Sequence, residues 1–75
     1  MNTKTFTHQL QEEVEEKLRH DPRVRDLPID ILDNNGVIIL QGTVPSQTLS
    51  MLVEDLVREV DSVISVSNEL YVKAK

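Results

Sequence analysis

The stretch 33-DNNGVIILQG-42 holds the only two glycines of a 75-residue chain, Gly36 and Gly42, on either side of one short apolar run. Asn35-Gly36 between two apolar runs predicts a β-hairpin, because a type I′ turn needs positive φ at both central residues and Asn and Gly adopt it at least cost. Gly42 falls where we expect the returning strand to leave the sheet, with a bulge or a close approach of another backbone segment. Both glycines are therefore explained by folding alone.

Alternating apolar and polar residues around this turn predict β-strands. Residues 29–33 form the first strand and residues 37–41 the returning one. A third strand is predicted over 63–72, where Val66, Asn68, Leu70 and Val72 alternate with polar residues and Tyr71. Alternation of apolar and polar residues along a strand indicates a sheet with one face packed against a core and the other exposed to solvent.

Two amphipathic helices complete the chain. The first is predicted over 7–20 with Thr7 as its N-cap, and it ends before Pro22 because the residue that precedes a proline is disfavoured in helical conformation. The second begins at the N-cap Ser46 and runs to about Val60, with a broader apolar face.

The resulting order is helix, strand, strand, helix, strand, which predicts the α+β class. We expect an α-β-β-α-β two-layer sandwich with a three-stranded mixed sheet and both helices on one face, because neither helix can bury its apolar stripe alone. The second helix would connect the second strand to the third. The whole chain, 1–75, is then a single domain with a core from about residue 10 to residue 72.

Composition excludes several classes of function. There is no cysteine, so disulfides, thiolate metal sites and cysteine nucleophiles are absent. A net charge of −5 and the lack of a GxxG clamp or paired strand aromatics argue against nucleic-acid binding. The N-terminus lacks a signal sequence, so we expect a cytoplasmic protein, or a periplasmic one if the chain is a mature or excised domain.

Chemistry-bearing residues are sparse. His8 and His20 are twelve residues apart, about 18 Å along a helix, and cannot share one metal ion. The acidic residues Glu12, Glu13, Glu15 and Glu16 fall on the polar face of the first helix, where carboxylates stay solvated. No nucleophile triad or phosphate loop is present. We therefore predict no enzymatic activity, no catalytic residue, no small-molecule substrate, no metal and no other cofactor.

The main basic concentration lies at the end of the first helix and in the loop that follows. It comprises Lys17, Arg19, Arg23 and Arg25, with two aspartates interspersed. Arginine suits a phosphate by its forked geometry, so this patch is a candidate site for a phospholipid headgroup. Ordinary ion pairing within the chain, with these aspartates among the cations, is the interpretation that we favour for this patch.

Apolar residues are also predicted on the face of the sheet away from the helices. If Ile38 and Leu40 face the helices, alternation turns their neighbours outward. The outer face would carry Leu32, Val37, Ile39 and Tyr71. An exposed apolar patch of this kind indicates contact with a partner. The start of the second helix, with Leu49, Met51 and Leu52, is a second candidate contact surface.

The order and spacing of aliphatic residues resemble the BON domain, named for bacterial OsmY and nodulation proteins. The resemblance rests on Ile29-x-Ile31, on the hairpin Gly36-Val37-Ile38-x-Leu40-x-Gly42-x-Val44, on Val53-x-x-x-Val57-x-x-Val60, and above all on Val63-x-x-Val66-x-Asn68-x-Leu70-x-Val72. It implies an α-β-β-α-β sandwich and a non-enzymatic module of envelope, osmotic-stress and channel- or secretin-associated proteins that binds phospholipid membranes or protein partners. No catalytic residues come with it.

This chain departs from the pattern of that family in two ways. Ser62 stands where the family usually has Gly before the last strand. Apolar residues replace often polar ones at Leu32, Ile39, Leu52 and Ile64. These apolar departures favour a module that binds a protein partner or self-associates; peripheral phospholipid binding is the alternative, and an ion or osmotic-stress sensor is a third.

Overall fold

A computed structural model describes residues 9–73 of the chain. It contains two helices and three strands in the predicted α-β-β-α-β order, and it confirms the α+β class. The elements are α1 (Gln9–Arg19), β1 (Ile29–Asn34), β2 (Val37–Val44), α2 (Gln47–Arg58) and β3 (Ser65–Val72). Within residues 9–73, neither helix has the length and apolar character needed to cross a bilayer.

The three strands form one mixed sheet in the order β1-β2-β3. β1 pairs antiparallel with β2 through the hairpin, and β2 pairs parallel with β3 after the crossover through α2. β2 is therefore the central strand, and β1 and β3 are the two edges. The register places Leu32 opposite Ile39 and Thr43 opposite Tyr71.

The predicted turn at Asn35-Gly36 is confirmed. Both residues have positive φ, 55° and 93°. The Gly36 N–H donates a hydrogen bond to the Asp33 carboxylate at 2.9 Å, and the Gly36 carbonyl accepts one from the Ile64 N–H at 2.8 Å. The turn is thus tied both to its own strand and to the segment that enters β3.

Gly42 does not end β2, as the sequence had suggested. The strand continues to Val44, and its pairing with β1 runs without a bulge from Asn34↔Val37 to Ile29↔Gly42. The close backbone approach, one of the two alternatives predicted for Gly42, is present. Gly42 has a φ of 129°, and a Cβ on it would overlap the Pro28 carbonyl oxygen and lie 3.1 Å from the Ile29 Cα. Only glycine lets the start of β1 pass this close to β2.

The core lies between the two helices and the inner face of the sheet. Its fully buried residues come from every layer: Val14, Val24, Ile38, Leu40, Val44, Val53 and Val57. Val24 belongs to the loop between α1 and β1, so this loop closes one end of the core. The predicted N-cap Ser46 is confirmed by the hydrogen bond that its hydroxyl accepts from the Leu49 N–H at 3.2 Å.

Element ends differ from the sequence prediction by one to three residues. The N-cap predicted at Thr7 lies outside the described residues. α2 ends at Arg58 rather than Val60, because the chain tightens into a turn in which the Val60 N–H donates to the Val57 carbonyl. The Val63 N–H donates to the Val60 carbonyl, so Val63 belongs to this turn and β3 begins two residues later.

Candidate functional site

The two faces of the hairpin are both apolar but differ in exposure. On the inner face, Ile38 and Leu40 are fully buried and Ile31 is 8% exposed. On the outer face, Leu32 is 46% exposed and Ile39 is half-buried. Since successive side chains of a strand alternate, these outward residues cannot join the core.

The outward aliphatic residues form one cluster, which we call the hairpin face: Leu32, Val37 and Ile39. Leu32 lies directly opposite Ile39 across the β1–β2 ladder, at a spacing that brings side chains into contact. Val37 is two positions before Ile39 in β2 and therefore shares its face. On the other side of β2, the outward positions beside them are Ser65 and Ser67. The cluster thus covers the turn half of the outer face.

Tyr71 is on the outer face but does not belong to this cluster. It lies opposite Thr43, four positions from Ile39 along β2, or about 13 Å at the rise of a strand. Between them, the Gln41 amide donates a hydrogen bond to the Glu69 carboxylate at 3.2 Å. The structure therefore divides the predicted outer patch into an apolar half and a polar half.

The second predicted contact surface, at the start of α2, offers less exposed apolar area. Leu49 and Leu52 are half-buried and pack against the core, while Met51 is 56% exposed on the solvent side. Ile64 is the most exposed large aliphatic among the described residues, at 75%, and its side chain lies against Gly36 at the turn end of the sheet. Two of the four exposed large apolar residues, Leu32 and Ile64, therefore lie toward the turn end of the sheet.

Three of the four predicted headgroup-binding cations have a carboxylate partner. Lys17 Nζ lies 2.8 Å from Glu59 Oε1, which links α1 to the end of α2. Arg19 Nη2 lies 3.1 Å from Glu16 Oε1 on the same helix. These are exposed pairs, and such pairs add little to stability.

The third cation, Arg23, is held more closely. Its Nε and Nη2 donate to the two carboxylate oxygens of Asp21 at 3.0 and 2.7 Å, and its backbone N–H donates to the same carboxylate at 2.9 Å. The hydrogen bonds from the Arg23 side chain and then from its backbone lower the pKa of Asp21 to about 2. This pair closes the turn around Pro22.

Arg25 differs from the other three because it makes no ion pair within residues 9–73. It lines a surface groove of about 210 Å³ beside the edge strand β1. We call this groove the edge groove; its lining residues are Glu15, Leu18, Arg19, Val24, Arg25, Leu27, Ile29 and Ile31. The structure thus brings two of the predicted basic residues, Arg19 and Arg25, to one concavity with charged and apolar walls that the sequence did not reveal.

Asn68 serves the fold rather than a surface. Its amide nitrogen donates to the Ser50 hydroxyl at 3.0 Å and to the Glu54 carboxylate at 3.1 Å, and its carbonyl oxygen accepts from the Leu70 N–H at 3.0 Å. The hydrogen bonds from Arg58 and then from Asn68 lower the pKa of Glu54. This network connects β3 to α2, and it explains why the otherwise apolar inner face of β3 carries a single Asn.

The described residues offer little for metal binding. Between Gln9 and Lys73, no group of three or more His, Asp or Glu side chains is placed to hold a metal ion. His20 Nδ1 lies 2.8 Å from the Glu16 carbonyl oxygen, at the end of α1. His8 lies outside the part of the chain that the structure describes.

Comparison with known protein families gives a match. The sequence model of a family described as the BON domain matches residues 7–74, essentially the whole chain. No curated protein matches the sequence. The fold has the α-β-β-α-β order that the resemblance to this family implied.

Proposed function

Because this chain belongs to the BON domain family, whose members are generally small non-catalytic binding modules, we propose that it acts by contact rather than by chemistry. Its own surface suggests where that contact occurs. We propose that the hairpin face packs against the same face of a second copy of the chain. The observation that carries the proposal is the Leu32–Ile39 pair, an apolar pair on the solvent side of a sheet.

The physical argument is the free energy of apolar burial. A large aliphatic side chain that becomes fully buried contributes roughly 1.5–3 kcal/mol. Leu32 is 46% exposed, and Val37 and Ile39 are half-buried, so a face-to-face contact would remove the remaining exposed area of all three from water. A two-fold contact also places each apolar residue near its own equivalents, which makes the surface self-complementary.

Charge repulsion between two copies opposes this contact, so the contact should depend on salt concentration. Each copy has a net charge of −5, and Asp30 and Glu69 lie on the polar half of the same outer face. At an ionic strength of about 1 M the Debye length falls to about 3 Å, so the repulsion is screened while apolar burial is retained. Association through the hairpin face should therefore become stronger as salt is added.

Sedimentation equilibrium at low and high salt tests the proposal. We expect the wild-type chain to dimerise more tightly at high salt, and Ile39→Thr to remain monomeric because a hydroxyl replaces part of the apolar contact. Tyr71→Thr is the matched control, since it removes apolar area from the separate half of the same face. A monomeric wild type at both salt concentrations, or equal weakening by the two substitutions, would refute the proposal.

Binding of an anionic phospholipid headgroup is a second candidate function. The specific observation in its favour is Arg25, a guanidinium with no ion-pair partner within residues 9–73, close to Arg19 at the edge groove. Co-flotation with phosphatidylglycerol vesicles at low and physiological salt would detect it. Arg25→Glu should abolish flotation if this candidate is right, and no flotation of the wild type at low salt would eliminate it.

A further inference from the structure

β1 is an edge strand whose free side carries unpaired backbone groups. A two-residue hairpin loop makes the flanking pair Asn34↔Val37 hydrogen-bonded, and hydrogen-bonded and non-bonded pairs then alternate along the ladder. The backbone groups of Asp30, Leu32 and Asn34 therefore point toward β2. Those of Ile31 and Asp33 point away from the sheet, toward solvent.

The hydrogen bonds of the described residues agree with this alternation. The Ile29 N–H, which also points outward, donates to the Leu27 carbonyl at 2.9 Å. Between Gln9 and Lys73, no such local partner serves the N–H or carbonyl of Ile31 and Asp33. An edge with free donors and acceptors is a template on which another strand can pair.

The edge groove lies beside this free edge, on the helix side of the sheet. Its apolar lining includes Leu18, Val24 and Ile31, all nearly buried, together with the half-buried Leu27 and Ile29. Ile29 and Ile31 are inner-face residues of β1 itself. A strand paired with β1 would place its own inner-face side chains over this groove, because alternation is shared across a sheet.

The volume of the groove limits the kind of ligand that it can bind. Pockets for cofactors and drug-sized molecules have volumes of about 300–1,000 Å³. The edge groove, at about 210 Å³, is smaller than this range and lies open to solvent at the edge of the sheet. It suits one large apolar side chain presented by an extended backbone.

The charges at the groove indicate which charge the residues close to that apolar residue in the bound segment should carry. Two guanidiniums, Arg19 and Arg25, and one carboxylate, Glu15, line it, on a chain that is otherwise strongly acidic. Arg19 forms an exposed ion pair with Glu16. Arg25 has no ion-pair partner within residues 9–73. The carboxylate of Asp33, the nearest acidic group on the inner face of β1, is engaged by the Gly36 N–H.

We propose that an extended peptide segment of a partner protein adds to the free edge of β1 as a fourth, antiparallel strand. One large apolar residue of the segment would enter the edge groove, and an acidic residue two positions away, on the same face, would pair with Arg25 or Arg19. The backbone hydrogen bonds with Ile31 and Asp33 would supply register, and the groove and the guanidiniums would supply selectivity. This site does not involve the hairpin face, so the two proposals stand or fall separately.

The test uses a synthetic heptapeptide, Thr-Glu-Thr-Leu-Thr-Glu-Thr, acetylated and amidated at its ends. The sequence places the leucine and both glutamates on one face and reads the same in both directions. Titrated into the ¹⁵N-labelled protein, it should shift the Ile31 and Asp33 amide resonances saturably and slow their hydrogen exchange, with a Kd of about 1 mM or tighter. The amides of Leu32 and Asn34, already bonded to β2, should keep their exchange rates.

Two control peptides test separately the ion pair with the guanidiniums and the backbone hydrogen bonds with β1. A peptide with lysine in place of both glutamates should bind at least about tenfold more weakly, because it loses the ion pair. In an antiparallel pair the groove-facing leucine also carries an N–H directed at β1, so N-methylation of that leucine should abolish binding. Equal affinity for the three peptides would overturn the proposal.

A protein variant completes the test. Arg25→Glu should weaken binding of the acidic peptide at least about tenfold, whereas Lys73→Glu, the same charge change at the end of the opposite edge strand, should not. Because Arg25 is exposed, the variant should keep a dispersed spectrum, and the N-methyl peptide tests the wild type in any case. Unchanged Ile31 and Asp33 amides at millimolar peptide, or protection of the same amides by phosphatidylglycerol vesicles alone, would overturn the proposal.

Discussion

The inner and outer faces of the β1–β2 hairpin are built from the same kind of residue but have opposite surroundings. Ile38 and Ile39 are adjacent in β2; Ile38 is fully buried beneath the helices, and Ile39 faces outward beside Leu32. An inner aliphatic residue is explained by the core alone. An outer one stabilises this fold much less, and this difference is the basis of the proposal that the outer face is apolar for contact.

The largest expected effect is on the inner face. Ile38→Ala should reduce the free energy of unfolding by about 2–5 kcal/mol, because it leaves a cavity in a closed core. Ile39→Ala should cost only about 1–2 kcal/mol, since its side chain is already partly in water. Urea unfolding of the dilute proteins measures both values. Equal losses of unfolding free energy for the two variants would mean that the outer face stabilises the fold as much as the inner face, which would contradict the distinction between them.

The second effect concerns the two glycines, Gly42 and Gly36, that allow β1 and β2 to pair in their observed register. Gly42→Ala should cost about 3 kcal/mol, because the new Cβ overlaps the Pro28 backbone at a φ of 129°. Gly36→Ala should cost about 1–2 kcal/mol from its positive φ, since its Cβ would meet only the exposed end of Ile64, at 2.6 Å. Thermal or urea unfolding ranks them. A more harmful substitution at Gly36 would contradict the close approach at Gly42.

The third effect concerns the inner face of β3, which is polar at one point. Asn68→Leu should cost about 1–3 kcal/mol, because it leaves the buried Ser50 hydroxyl without its donor.

Asn68→Asp is the more informative variant of this residue, because it places a second carboxylate beside Glu54. That proximity raises the pKa of the new carboxyl above its unfolded value, so the variant should be closest to wild-type stability near pH 4 and lose stability as pH rises toward 7. Unfolding curves at the two pH values check this. A pH-independent cost would mean that Glu54 is not close to this position.

Much of the hairpin could be predicted from the sequence because its determinants are local. A two-residue Asn-Gly loop sets the pairing of the strands on either side, and the pairing sets which residues face outward. The predicted end of β2 before Gly42 was wrong, because the close backbone contact between Gly42 and Pro28, itself one of the predicted alternatives, does not interrupt the strand.

Other features depend on contacts between distant segments. The separation of Tyr71 from the hairpin face follows from the β2–β3 register, and these strands are joined through a helix rather than a tight turn. The edge groove requires Val24, whose loop has no periodic pattern, to pack beneath α1. For the same reason, the hydrogen bond of Asn68 to Ser50 could not be predicted.

The smallest expected effect lies outside both faces, at the Asp21–Arg23 pair. The pKa of Asp21 is lowered to about 2, so the pair stabilises the fold above the unfolded pKa of about 3.9, and this contribution is lost as pH falls toward 2. Arg23→Ala should therefore be less stable than wild type at pH 7 and equally stable near pH 2. A difference that persists at pH 2 would show that Arg23 stabilises the loop by packing instead.

Methyl NMR of the wild-type chain at high salt, recorded over a range of protein concentrations, tests the hairpin face most directly. We predict that the methyl resonances of Leu32, Val37 and Ile39 shift together as concentration rises, while those of Ile31 and Ile38 stay fixed. Spectra that do not change with concentration, or shifts confined to Leu49, Met51 and Leu52 on α2, would contradict the assignment of the contact to the outer face.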